Sequence, residues 1–206
     1  MPRALRIEYI DALYHVSAHS IDESVLFVDD NDRTAFLNLL ARVCDHYQVS
    51  CHAWCLMTTH YHLVLQTANP NLGAAMQYLN SRFAQDSNRR RGRRGALFLR
   101  RYHPSEITTE SYFLQAVRYV LLNPVKAGIV RTPGEWRWSS FRFMFDQKPG
   151  LGVFRSREIL DSFGATFDAA RERFRAWVLG EEPAELPPPA AAAGARASPA
   201  PAETRH

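Results

Sequence analysis

Cysteine is scarce: the 206 residues hold Cys44, Cys51 and Cys55, with no CxxC spacing among them. That pattern supports neither a disulfide framework nor a zinc knuckle, and it fits a reducing cytoplasm. Long apolar runs are missing as well. None reaches the ~18–20 residues needed to span a bilayer, and the opening Met1 to Tyr9, with Arg3 and Arg6, has no apolar stretch of the kind a secretion signal needs. Neither export nor a membrane is indicated, and no internal repeat is found. Nor does one sign of charge dominate, since 25 Lys and Arg stand against 21 Asp and Glu for a net charge of +4. The placement of that charge says more. The tail from Glu181 to His206 has Arg196 and Arg205 against Glu181, Glu182, Glu185 and Glu203, a net of −2, which leaves +6 on residues 1–180. A body more basic than the whole favours a polyanionic partner.

A 46% hydrophobic content in a chain of this length is enough for one substantial core with smaller appended elements. Tyr9 to Ser17 reads as a strand, with Tyr14 and Val16 alternating against His15 and Ser17. Asp30 to Tyr47 reads as a helix capped among Asp29, Asp30 and Asn31, with Phe36, Leu37, Leu40 and Val43 at helical spacing. Val49 to Met57 and Tyr61 to Gln66 are strand candidates joined by a short connection, and a second helix fits Asn71 to Asn88. The basic, glycine-containing stretch Arg89 to Gly95 follows, then Ala96 to Tyr102 as a fourth strand. This order predicts an α+β fold of ferredoxin-like or RRM-like type, an antiparallel sheet with two helices packed on one face. The other face would be an open platform for a nucleic acid strand. A third helix should run from Thr109 to Leu122 and stop at Asn123, because Pro124 disfavours the helical state in the residue before it. Helical patterns at Ser156 to Phe163 and Phe167 to Leu179 form a C-terminal extension. From Glu181 onward six prolines and the alanines Ala190 to Ala193 leave little to bury. The expected layout is therefore a catalytic domain at 1–145, a helical extension at 146–180 and a disordered tail at 181–206.

His60 and His62 lie at i and i+2 near the start of a strand, so both imidazoles project from one face. Such a pair can ligate a divalent ion, although an ordinary strand also accommodates the pattern. On the third helix Tyr112, Gln115, Tyr119 and Asn123 share a polar stripe, while Phe113, Ala116, Val117, Val120 and Leu121 form the packing face. A phenol is a poor nucleophile at neutral pH, and it becomes useful when a metal polarises the phosphate it attacks. The pair and the tyrosine together make a set sufficient for phosphodiester transesterification. Taken alone, Tyr119 is equally an amphipathic residue at a helix–sheet seam.

Met57-Thr58-Thr59-His60-Tyr61-His62-Leu63-Val64-Leu65 resembles the His-hydrophobic-His signature of the small single-tyrosine, IS200-like transposases. Tyr119 to Val130, with its Asn123-Pro124 pair, resembles their tyrosine helix. Tyr14-His15-Val16-Ser17, Phe98 to Tyr102 and Trp136 to Ser140 extend the likeness over residues 5–145. The resemblance implies that His60 and His62 bind a divalent metal ion, Mg or Mn, which Asn123 completes. It implies that Tyr119 attacks a DNA phosphate, becoming linked to its 5' side as a 3'-OH is released. It further implies a homodimer and a single-stranded DNA substrate carrying hairpins, at element ends or at dispersed palindromic repeats. Where members of this family have an Arg-Gly pair after the first strand, this chain has His19-Ser20, a difference bearing on a turn or a DNA contact. The extension beyond Phe145 points to the repeat-associated (REP-associated) subgroup.

Arg82, Arg89, Arg90, Arg91, Arg93, Arg94, Arg100 and Arg101 fall within twenty residues, opposed by Asp86 alone. They read either as a solvated face or as a flexible clamp on DNA phosphates, to which guanidinium forks are suited. Phe98, Tyr102, Trp136 and Trp138 are candidates for base stacking, though the two tryptophans read better as anchors for the extension. The cysteines read as inert core thiols. His15, His46, His52 and His103 are selected by no pattern. An active transesterase is thus weighed against a hairpin-binding regulator without catalysis, and against an RRM-type RNA-binding module. The retained histidines and tyrosine favour the first.

Overall fold

The structure, a computed structural model, describes residues 8–145 and 154–181. The expected disordered tail lies outside them, apart from Glu181. Strand β1 (Ala12–His19), helix α1 (Asp30–Tyr47), strands β2 (Val49–Leu56) and β3 (His60–Thr67), helix α2 (Leu72–Arg91) and strand β4 (His103–Ile107) follow in that order. The four strands form one antiparallel sheet ordered β2-β3-β1-β4. Alternation along β1 and β3 divides the side chains between two faces. Tyr14, Val16, Tyr61, Leu63 and Leu65 pack with Phe36, Leu40 and Val43 of α1 and Leu72, Met76, Leu79 and Phe83 of α2. The opposite face carries Ala53, Cys55, His62 and Val64.

That opposite face is not the open platform expected. Helix α3 (Glu110–Lys126) lies across it, burying Leu114, Ala116, Val117, Val120 and Leu121 against Ala53, Cys55 and Val64. Thr109 caps α3 by accepting a hydrogen bond from Tyr112 N–H at 3.2 Å, which satisfies one of the free donors of its first turn. The helix also continues through Pro124, where the sequence predicts an end. Pro124 removes one hydrogen-bond donor, but it is buried, and the helix closes only beyond it at Gly128, whose φ of 68° suits a residue without a side chain.

The fourth strand also differs from expectation. Residues 96–102 form a loop, joined by an isolated bridge between Phe98 and Ser20, the residue just past the end of β1. Leu97 and Tyr102 face the core, but they lie five residues apart, which is not a strand period. The actual β4 is a polar edge strand, His103-Pro104-Ser105-Glu106-Ile107, paired on one side only, and an edge is where a strand proline is tolerated.

Helices α4 (Ser156–Leu160) and α5 (Phe167–Leu179) form the extension. Ile159, Leu160, Phe163, Phe174 and Val178 bury themselves with α3, and Arg118 of α3 donates from Nε to the Val178 carbonyl at 3.1 Å. Arg155 N–H meets the Cys51 carbonyl at 3.0 Å, so the extension also covers part of the β2 edge. Trp136 Nε1 donates to the Leu56 carbonyl at 3.1 Å, Leu56 N–H donates to the Trp138 carbonyl at 2.8 Å, and the Arg33 guanidinium lies over both indoles. The tryptophans are therefore anchors. Among the described residues no helix is long and apolar enough to cross a membrane.

Asp32 ties the two helices of the first face together. Its carboxylate, only 4% exposed with its residue, accepts from Val28 N–H at 2.9 Å, from Arg90 at 2.8 Å and from Arg91. Burial pushes its pKa up, but the hydrogen bonds from Val28, Arg90 and Arg91 outweigh it and hold the carboxyl below its ordinary value. Removing the carboxylate would leave the largely covered Arg91 without its anionic partner, keeping only the Leu26 carbonyl. We expect Asp32→Ala to destabilise the protein by roughly 3 kcal/mol in urea unfolding. Because the folded pKa is depressed, this stabilisation is fully present above the unfolded value of about 3.9 and is lost as pH falls through the folded one. The stability gap to Asp32→Asn should therefore narrow only below about pH 4.

Candidate active site

The pairing of β1 with β3 brings together histidines that are far apart in sequence. Ser17 stands opposite His62 and His19 opposite His60, while Ser17 is also paired with His103 on β4. Directly paired residues share a face, so His15, His19, His60, His62 and His103 all belong to the face that α3 partly covers. His62 is buried at 6% exposure, and His60 is half-buried. Their rings lie 5.0 Å apart and perpendicular. His15 meets His62 edge to edge, with centroids 5.2 Å apart and its Nε2 3.0 Å from His62 Nδ1, and His19 stacks on His60 at 4.5 Å. His60 Nδ1 lies 3.1 Å from Thr59 Oγ1.

Helix α3 adds the tyrosine. Tyr119 is 41% exposed, and its ring meets both His15 and His62 edge-on at 5.6 Å. Lys126 holds its ammonium 4.5 Å from the same ring's centroid, a cation–π contact that fixes the ring from the solvent side. One turn beyond Tyr119, Asn123 is buried against His60. Tyr112, two turns before it, bonds through its hydroxyl to Ser105 Oγ at 3.1 Å.

Burial pushes the His62 imidazolium down to about 3, assisted by His15, His60 and His19. Burial and then His19 lower His60 to about 4, opposed by its hydrogen bond with Asn123. His15 is lowered too, first by burial and then by His103. At neutral pH these rings are therefore uncharged and offer nitrogen lone pairs. Among the described residues no group of three or more His, Cys, Asp or Glu side chains is arranged to hold a metal ion. The donor set that does fit a divalent cation is mixed: two neutral imidazoles and the Asn123 carboxamide, whose buried Nδ2 has no hydrogen-bond partner. The oxygen of that amide faces His60, and it is a donor that suits Mg or Mn.

Residues 9–123, more than half of the chain, match the family described as Transposase IS200 like. The chain belongs to that family. A protein of Haemophilus influenzae provisionally described as a REP-associated tyrosine transposase is 26% identical over 117 residues, covering 52% of this chain and 66% of that relative, so the chain spans about two thirds of the relative's length. The solved structure of a REP-associated tyrosine transposase bound to a REP hairpin superposes with a TM-score of 0.62 at 15% identity, over 76% of this chain and 90% of that one. At that identity the likeness concerns the fold.

In this IS200-like chain the structure brings Tyr119 against His62 and a buried Asn123 against His60. The arginines divide. Arg89, Arg90 and Arg91 are the last turn of α2 and not a loop; Arg82 and Arg89 pair with Asp86, while Arg90 and Arg91 hold Asp32. Arg93, Arg94, Arg100 and Arg101 are exposed. Leu99 N–H donates to the His19 carbonyl at 3.0 Å, which brings the end of the basic stretch beside the histidines. His15 and His19 are the site residues that sequence reasoning missed. Their signal was available as the period-2 series His15, Ser17, His19, but the register of β1 against β3 was not. The three thiols are buried with raised pKa values, as inert core cysteines should be.

Proposed function

We propose that the protein cuts and rejoins single-stranded DNA through a 5'-phosphotyrosine intermediate on Tyr119, with a divalent cation, Mg or Mn, held by His60, His62 and Asn123. The observation that carries this reading is the Tyr119 ring 5.6 Å from the His62 ring of its own chain, with Asn123 one turn further along the same helix. Tyr119 Oη attacks the phosphorus, the bond from phosphorus to the 3' oxygen breaks, and that oxygen takes a proton from solvent and leaves as a 3'-OH. The phenolic proton passes to the solvent that Tyr119 still meets. Rejoining is the same step reversed, with a 3'-OH displacing the tyrosine. When bound, the cation draws charge from the phosphate oxygens and so lowers the demand on a weak phenol nucleophile. His60 and His62, kept neutral by burial and mutual repulsion, supply lone pairs, and α3 holds the phenol over them.

The substrate we infer is a DNA hairpin from a dispersed repeat or element end, gripped along its phosphates by the exposed Arg93, Arg94, Arg100 and Arg101. Incubating the full chain with Mn and a labelled hairpin taken from imperfect palindromes near its gene should release a fragment whose new 3'-OH a polymerase extends. Tight binding without such a fragment would instead identify a regulator that binds hairpins and does not cut them.

The clamp has its own test. Replacing the exposed Arg93, Arg94, Arg100 and Arg101 with Gln avoids the pair that holds Asp32. Affinity for cognate and scrambled hairpins should fall by a similar factor, since phosphate contacts position a strand without reading it. Each lost contact should lower the dependence of log affinity on log salt by roughly 0.7–0.9. Parallel salt slopes for the unmodified and substituted proteins would mark the stretch as solvated surface.

A further inference from the structure

We propose that His15 is a positioning residue that fixes the proton of His62 on Nδ1 and thereby leaves the Nε2 lone pair of His62 free for a cation. The inference rests on the reading that His60 and His62 hold a divalent ion. One hydrogen bond joins the two rings, between His15 Nε2 and His62 Nδ1 at 3.0 Å, and it contains one proton. If His15 donates it, neutral His62 must carry its own proton on Nε2 and has no lone pair left for a metal. If His62 donates it, Nε2 is free. A ligating imidazole therefore requires His15 to accept, with its own proton on Nδ1.

The geometry supports a dedicated contact. His15 lies on β1 diagonally across from His62 on β3, and the rings are 17° from parallel with centroids 5.2 Å apart, so the 3.0 Å contact between the two nitrogens runs edge to edge along the ring planes. The same device recurs at the second imidazole, where His60 Nδ1 has Thr59 Oγ1 at 3.1 Å. Each Nδ1 is thus engaged by a neighbour. Outer partners of this kind orient metal ligands and fix their tautomers. His19 has a different arrangement. It lies flat on His60, 14° from parallel at 4.5 Å, and parallel stacked rings direct their lone pairs alongside each other and not to one point.

The test uses the full chain and two variants. His15→Phe keeps a flat ring beside His62 but removes the acceptor, whereas His15→Gln sets an amide oxygen close to the position of Nε2. Long-range proton–nitrogen NMR of the metal-free proteins reads the His62 tautomer directly. The unmodified protein should carry the proton on Nδ1, and His15→Phe should carry it on Nε2, the ordinary preference of imidazole. In calorimetric titration with MnCl2, His15→Phe should bind about 10- to 100-fold more weakly, with His15→Gln restoring most of the affinity. A His62 proton on Nε2 in the unmodified protein would overturn the proposal, as would Mn binding that His15→Phe leaves unchanged. Failure of every protein to bind Mn, the unmodified one included, would instead overturn the metal reading on which the proposal rests.

Discussion

Tyr119→Phe should abolish covalent capture of a DNA hairpin while changing its binding free energy by less than about 0.5 kcal/mol, as expected of a substitution that disturbs no packing. The variant removes only the attacking oxygen. The ring keeps its edge contacts with His15 and His62 and its ammonium partner Lys126, so neither the helix nor the histidine pair has reason to move. The readout is a denaturing gel, on which only a covalent protein–DNA adduct survives. An adduct that persists in the variant would direct attention to Tyr112, which is 38% exposed on the same helix stripe. Tyr102 is no alternative, because it is buried at 6% exposure.

His60→Ala and His62→Ala should each lower the cleavage rate by roughly 10²- to 10³-fold, since losing charge stabilisation at the phosphate raises the barrier by several kcal/mol. Stripping divalent ions from the unmodified protein with a chelator should have the same effect, reversed by added Mn or Mg. The two variants should differ in stability. His60 is half-buried at the strand start and its loss should matter little to the fold, whereas His62 is buried under α3. His62→Ala opens a small void there and should unfold at lower urea concentration. Normal cleavage with excess chelator would refute the metal reading whatever the variants do.

Much of this site was legible because its parts are local. His60-Tyr61-His62 needs only the period of a strand to set two imidazoles on one face, and Tyr119 and Asn123 need only the turn of a helix. Helix α1 was legible for the same reason, with Asp29 capping the first turn and apolar residues at helical spacing. What escaped was set by tertiary contact. The fourth strand was misread because β4 is a polar edge that no apolar alternation marks, while Leu97 and Tyr102 suggested a strand just before it. Pro124 suggested a helix end, but burial of Val120, Leu121 and Pro124 carries α3 past it. His15 and His19 acquire meaning only through the pairing of β1 with β3, forty-one to forty-seven residues away. Arg90 and Arg91 looked like free charge until α1 brought Asp32 against them.

The central claim, that Tyr119 is the nucleophile of a metal-assisted DNA transesterification, is tested most directly by mapping the adduct. The full chain is incubated with Mn and a single-stranded hairpin oligonucleotide, the mixture is digested with a protease and a nuclease, and the modified peptide is sequenced by mass spectrometry. The expected result is a nucleotide joined through its 5' phosphate to Tyr119, absent when chelator replaces Mn. A nucleotide on any other residue, or joined through its 3' phosphate, would contradict the account.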